Sequence, residues 1–194
     1  MSATAPARAT WEDLLALGEG ARAEVIAGVL ELAPAPLPEH ALAAGSLNHL
    51  VGGPFHFDGG GPGGWWILAE VDVSLGRHDI VRPDVSGWRR ERLPSPWGMR
   101  PIEVVPDWVC EIVSPSSARI DRVKKRALYA RAGVGHYWIV DVAERTVEAL
   151  ALVDDTWRDA GSFDEDEPAR IPPFDAITLE LSRLFPPEQA NPTE

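Results

Sequence analysis

Apolar residues recur along this chain mostly in short runs, with helical spacing in three stretches. Thr10 followed by Trp11-Glu12-Asp13 predicts a helix start, with a hydroxyl at the N-cap and acids in the first turn. That helix should end near Gly18 or Gly20. Residues 24–32 (EVIAGVLEL) predict two short strands turning near Gly28. Pro34, Pro36 and Pro38 then impose a loop. A helix is expected over 39–51, weakened by Gly45, followed by a flexible loop over 52–64 (GGPFHFDGGGPGG). Residues 65–75 predict a strand with Glu70 and Asp72 on one side of its pleat. Residues 79–88 predict another, interrupted at Pro83. After a charged loop over 89–106, residues 108–113 (WVCEIV) form a short apolar strand with one acid inside it. Residues 114–117 (SPSS) break that strand and cap a helix over about 118–132, which Gly133 stops. A buried strand over 137–142 follows, then a turn at Glu144-Arg145 and a hairpin partner over 147–153. The remainder is acidic and proline-rich, ending in an apolar stretch over 177–185 (ITLELSRLF) and a loose tail. This order predicts an α/β class fold, a mixed sheet flanked by helices, in one domain over 1–194 with loose ends at about 1–9 and 186–194.

Composition narrows the function classes. The chain has 194 residues, 45% of them hydrophobic, and eight tryptophans, enough for a sizeable core. No run approaches the roughly 18 apolar residues of a membrane helix. The first residues lack a basic segment followed by an apolar one, so the expected compartment is the cytoplasm. A single cysteine, Cys110, rules out an internal disulfide and a multi-cysteine zinc site. The net charge of −12 argues against a large, non-specific nucleic-acid surface. The charge is unevenly placed, however. Residues 82–131 hold eleven Lys or Arg against six acids, so a local basic surface is one reading and an ordinary solvated face the other. The tryptophans and the apolar C-terminal stretch also make a homodimer an expectation.

The candidate chemistry centres on Glu111. Its neighbours Val109, Cys110, Ile112 and Val113 are apolar, so its carboxylate should be buried. A lone buried charge costs several kcal/mol unless it is paired, hydrogen-bonded or bound to a metal. A structural salt bridge or a strand end near water would answer it. So would Asp84, after Pro83, on a neighbouring strand: two carboxylates are donors that Mg²⁺ or Mn²⁺ prefers. On a helical wheel, Asp121, Lys125, Leu128, Tyr129 and Ala132 fall in one wedge, against a rival apolar wedge of Ile120, Val123, Ala127 and Ala130. With the first wedge inward, Lys125 is carried towards Glu111. Lys124 and Lys125 are the only lysines in the chain, and lysine supplies a compact charge with a shiftable pKa. Glu24 is a further acidic candidate. For His40, at the start of a helix, capping or a surface role is the simpler reading. Two carboxylates could also act as general acid and base on a sugar.

Arg82-Pro83-Asp84, then CEIVSPSS containing Glu111, then DRVKKRALYARAGVGHYWIVD over 121–141 resemble the Uma-two family, small bacterial proteins described as restriction endonucleases. Residues 24–32 and His40 resemble that family's N-terminal region. The resemblance spans roughly residues 10–185 and is most specific over 109–141. It implies a restriction-endonuclease-like PD-(D/E)xK core with Asp84 and Glu111 as metal ligands for Mg²⁺ or Mn²⁺ and Lys125 as the catalytic lysine. Glu24, Asp121, Tyr129 and His40 are additional site candidates, and DNA is the implied substrate. The nuclease signature places its lysine two residues after the acid, where this chain has Val113. The lysine sits instead on the following helix. The alternative on the same scaffold is an inactive module that binds nucleic acid or protein.

Overall fold

The structure, a computed structural model, describes residues 8–18, 20–114 and 117–187. Among these residues ten strands form two sheets. The smaller has the order β2-β1-β5-β4, from β1 (Ala23–Ile26), β2 (Val29–Leu32), β4 (Val73–Gly76) and β5 (Asp79–Val81), all antiparallel. The larger has the order β10-β9-β8-β7-β6-β3. Its members are β3 (Trp65–Ala69), β6 (Val85–Arg89), β7 (Trp108–Val113), β8 (His136–Asp141), β9 (Thr146–Val153) and β10 (Thr156–Asp164). Among the described strands β7 and β8 are the one parallel pair, and the helical segment 118–132 makes the crossover that parallel strands require.

The large sheet is buried on both faces. Trp108, Cys110 and Ile112 of β7 point to one core with Trp65, Trp138 and Phe174, roofed by α2 (Pro38–Phe55) and the C-terminal segment. Val109 and Val113 point to the other, with Trp88, Leu128, Tyr129 and Tyr137. Strict alternation therefore puts Glu111 on the second face, under the crossover. The fully buried Cys110 thiol is pushed well up by burial, the state of an inert packing residue.

Several boundaries differ from the sequence expectations. The second helix runs four residues past Val51, through Gly52, Gly53 and Pro54, because Ala43, Leu47, Val51 and Phe55 form a buried i,i+4 stripe. Phe55 packs on Phe174 at 4.6 Å between ring centroids, so burial overrides poor local propensity. The expected single strand over 65–75 is two, in different sheets. It breaks at Glu70, whose φ of +50° is left-handed and whose N–H donates to the carbonyl of Asp84. Strand β10 was not expected; its exposed, acid-interrupted sequence pairs with β9 through a bulge at residues 159–161.

Helix α1 (Trp11–Ala16) starts as expected, with the Thr10 N–H bonded to Asp13 Oδ2 at 2.8 Å. The expected loose ends fall mostly outside the described residues, although the Ala9 N–H donates to the Gly28 carbonyl at 2.9 Å. The apolar stretch 177–185 closes the first core through Leu179, Leu181, Leu184 and Phe185. Four of the eight tryptophans, Trp65, Trp88, Trp108 and Trp138, are buried, so much of what suggested a homodimer is used within one chain. No helix among the described residues is long and apolar enough to cross a membrane.

Candidate active site

The crossover helix decides the site. Its first part, Ile120–Lys125, is a π-helical turn that continues into α3 (Arg126–Ala132). Gly133, at φ +82°, ends it in the left-handed conformation typical of such a cap. The polar wedge faces inward: Asp121, Lys125, Leu128 and Tyr129 are buried, whereas Val123 of the rival wedge is 61% exposed. Wide π turns recur at functional sites.

Lys125 Nζ lies 3.0 Å from Glu111 Oε1, 2.9 Å from Glu24 Oε1 and 3.6 Å from Asp121 Oδ1. The Tyr129 hydroxyl also donates to Glu111 Oε1, and the Tyr137 hydroxyl donates to the Asp121 carbonyl at 3.1 Å. Glu24 Oε1 further accepts the Arg82 N–H at 2.6 Å. Asp84 stands one step beyond the last β6–β7 pair, Val85 with Cys110, and its Oδ2 accepts the Ile112 N–H at 2.7 Å. His40 Nε2 lies 3.2 Å from the same oxygen. His40 is therefore neither a cap, since Leu37 occupies that position, nor a surface residue. All seven candidates from the sequence gather in one buried cluster built from β1, α2, β7, the crossover and the turn before β6.

The cluster carries surplus negative charge. Four carboxylates, those of Glu24, Asp84, Glu111 and Asp121, surround one ammonium and one imidazole. Burial pushes the Glu111 carboxyl well up, Lys125 opposes that, and the neighbouring acids reinforce it. Burial likewise raises Asp121 against Lys125 and a hydrogen bond from Ser117. Burial alone would lower Lys125, but Glu111, Glu24 and Asp121 outweigh it and hold the ammonium charged. The hydrogen bond to Asp84 raises His40 against partial burial.

Glu70 and Asp72 stay outside this cluster. Glu70 pairs with Arg22 at 2.9 Å, and the buried Asp72 holds Arg82 and Arg100 at 2.7 and 2.9 Å. The basic stretch 82–131 is largely neutralised internally. Arg92 pairs with Asp107, Arg122 with Asp141 and Glu148, Lys124 with Glu31 and Arg131 with Asp79. Sequence reasoning missed the Asp72–arginine network because its members lie in three separate connecting segments, 10 and 28 residues apart from Asp72.

As a test of metal fit, the donor set is of hard oxygens, and the contacts above engage Oδ2 of Asp84 and Oε1 of Glu111. The other oxygen of each carboxylate lies outside them. No group of three or more His, Cys, Asp or Glu among the described residues is arranged as a complete cation nest. Mg²⁺ commonly takes only one or two protein carboxylates, with water and substrate phosphate completing its shell, so the residues fit such an ion.

Two antiparallel-rich sheets, a β–helix–β crossover and a buried acid–lysine cluster define a mixed α+β fold of the restriction-endonuclease-like kind. The chain belongs to the Uma2 family, described as "Putative restriction endonuclease", whose model matches residues 11–182. It is similar in fold to a crystal structure titled a putative nuclease belonging to DUF820, from Anabaena variabilis. The TM-score is 0.68 at 22% sequence identity, covering 90% of this chain and 96% of the other. No curated protein matches.

Proposed function

We propose that the protein is a metal-dependent endonuclease that hydrolyses phosphodiester bonds in DNA. The observation that carries the reading is the cluster in which Glu24, Glu111 and Asp121 enclose the Lys125 ammonium while Asp84 is held beside them by the Ile112 N–H. Asp84 and Glu111 are the residues that would hold Mg²⁺ or Mn²⁺. A divalent ion there supplies activation of water and charge stabilisation of the departing oxygen. It would also relieve the surplus negative charge that pushes Glu111 up. Tyr129 and Lys125 fix the Glu111 carboxylate through Oε1, and the Ile112 N–H fixes Asp84 through Oδ2. Lys125 is the group that orients the attacking water or offsets phosphate charge. Glu24 and Asp121 hold that ammonium in place. A cytoplasmic location and homodimeric assembly belong to the same reading; sedimentation tests the second.

One observation favours an inactive module that binds nucleic acid or protein on the same scaffold: Lys125 is already enclosed by three carboxylates. Plasmid and single-stranded DNA incubated with Mg²⁺ or Mn²⁺ separate the two. Endonuclease activity predicts cleavage that chelator abolishes and that Lys125→Ala lacks. No cleavage of either substrate selects the binding module. Hydrolysis that persists in chelator removes the metal from the account.

A further inference from the structure

We propose that the β3 edge of the large sheet is a binding site for single-stranded nucleic acid, built from a ladder of aromatic rings beside guanidinium groups that have no carboxylate partner. This deepens the endonuclease reading and rests on it for the identity of the polymer. Four rings run in series. Phe57 stacks on His56 at 4.3 Å and 24°, His56 meets Trp66 edge-on at 5.4 Å, and Trp66 meets Trp97 edge-on at 5.3 Å. Both ends are open: Phe57 is 74% exposed and Trp97 65% exposed. Contiguous exposed apolar surface marks interaction sites. Arg90 lies over Trp66 at 4.3 Å and Arg89 over Trp65 at 4.7 Å.

Seven of the eleven cations of the stretch 82–131 have a carboxylate partner; among the described residues Arg89, Arg90, Arg119 and Arg126 have none, and of these Arg89 and Arg90 lie over tryptophan rings. The Arg90 side chain donates to the carbonyls of Trp65 and His56, so it braces the ladder. Arg89 is exposed and available to a phosphate. Aromatic faces that stack bases next to guanidinium groups that meet phosphates are the two elements of sequence-tolerant single-strand binding.

Position links the ladder to the cluster. Trp66 and Leu68 lie on the face of the sheet that bears Glu111. Glu70, four residues after Trp66, bonds through its N–H to the Asp84 carbonyl. At about 3.3 Å per residue the ladder stands roughly 13 Å along β3 from Asp84. A strand stacked on it would lead towards the cluster.

The test is fluorescence anisotropy of a labelled thymidine oligonucleotide against the intact protein without divalent metal, for wild type, Trp97→Ala, Phe57→Ala and Arg89→Ala. Thermal melts verify the fold of each exposed-residue variant. Loss of either ring is expected to weaken binding about 5- to 150-fold. Arg89→Ala is expected to reduce the slope of log affinity against log salt by about 0.7. Affinity unchanged in both ring variants, or no binding by wild type, overturns the proposal. So does a concentration-dependent dimer that Trp97→Ala abolishes, because the ladder would then be a contact between copies. Ring-dependent binding without DNA cleavage would leave this site standing and remove the nuclease reading; cleavage with ring-independent binding would do the reverse.

Discussion

The Lys125 ammonium sits among the carboxylates of Glu24, Glu111 and Asp121, nearly shut off from water. Removing a partner from a buried ionic cluster leaves uncompensated charge. Lys125→Met should therefore cost about 3–5 kcal/mol in urea melts of the metal-free protein. A change below about 1 kcal/mol would mean that the acids are already neutral. Tyr129→Phe deletes one donor to the same Glu111 oxygen and should cost about 1.5–3 kcal/mol. His136 gives a pH signature. Burial lowers its pKa, so the unfolded chain binds more protons near its ordinary value of about 6.5. Stability therefore rises with pH through that value and falls as pH drops below it, until the folded imidazole is protonated as well. Melts at pH 5 and 7.5 should show a larger loss for wild type than for His136→Gln; equal losses would contradict the assignment. The identities of Glu111, Asp84 and Lys125 were legible in the sequence because a lone acid in an apolar strand demands a partner. Their contacts with His40 and Glu24 were not, since these join β1, α2 and β7 across long stretches of chain.

At the scale of elements, the second helix shows why propensity misleads. Gly52, Gly53 and Pro54 look like a loop, yet Phe55 completes the buried stripe and the helix continues to it. Phe55→Ala should cost about 3–5 kcal/mol by emptying that corner of the core. Gly45 lies mid-helix, exposed, with nothing near the position of an added methyl. Gly45→Ala should stabilise by about 1 kcal/mol, and chemical denaturation of the two variants reads both effects. The crossover was legible in outline because its polar wedge also carried Leu128 and Tyr129. Its π turn was not, because an i,i+5 pattern leaves no signature in a residue list. Strand β10 was hidden for a related reason: none of its residues is fully buried, and glycine, acids and a bulge at residues 159–161 interrupt its alternation.

For the whole molecule, the sheet order sets Glu111 under the crossover beside Asp84, while His40 reaches Asp84 from α2, which covers the opposite face, and Glu24 reaches Lys125 from the small sheet. The uneven charge visible in the sequence proved to be mostly internal ion pairs, whose acids lie, for the arginines, between 10 residues (Arg82 with Asp72) and 52 residues (Arg131 with Asp79) away along the chain. In the proposed reaction the carboxylates of Asp84 and Glu111 would hold the metal for phosphodiester hydrolysis. Asp84→Asn and Glu111→Gln keep the shapes of these side chains and remove their charge. Assayed beside wild type on plasmid DNA with Mn²⁺, with thermal melts to verify folding, both should cleave at least about 10²- to 10³-fold more slowly. Cleavage at the wild-type rate in either folded variant would contradict the account.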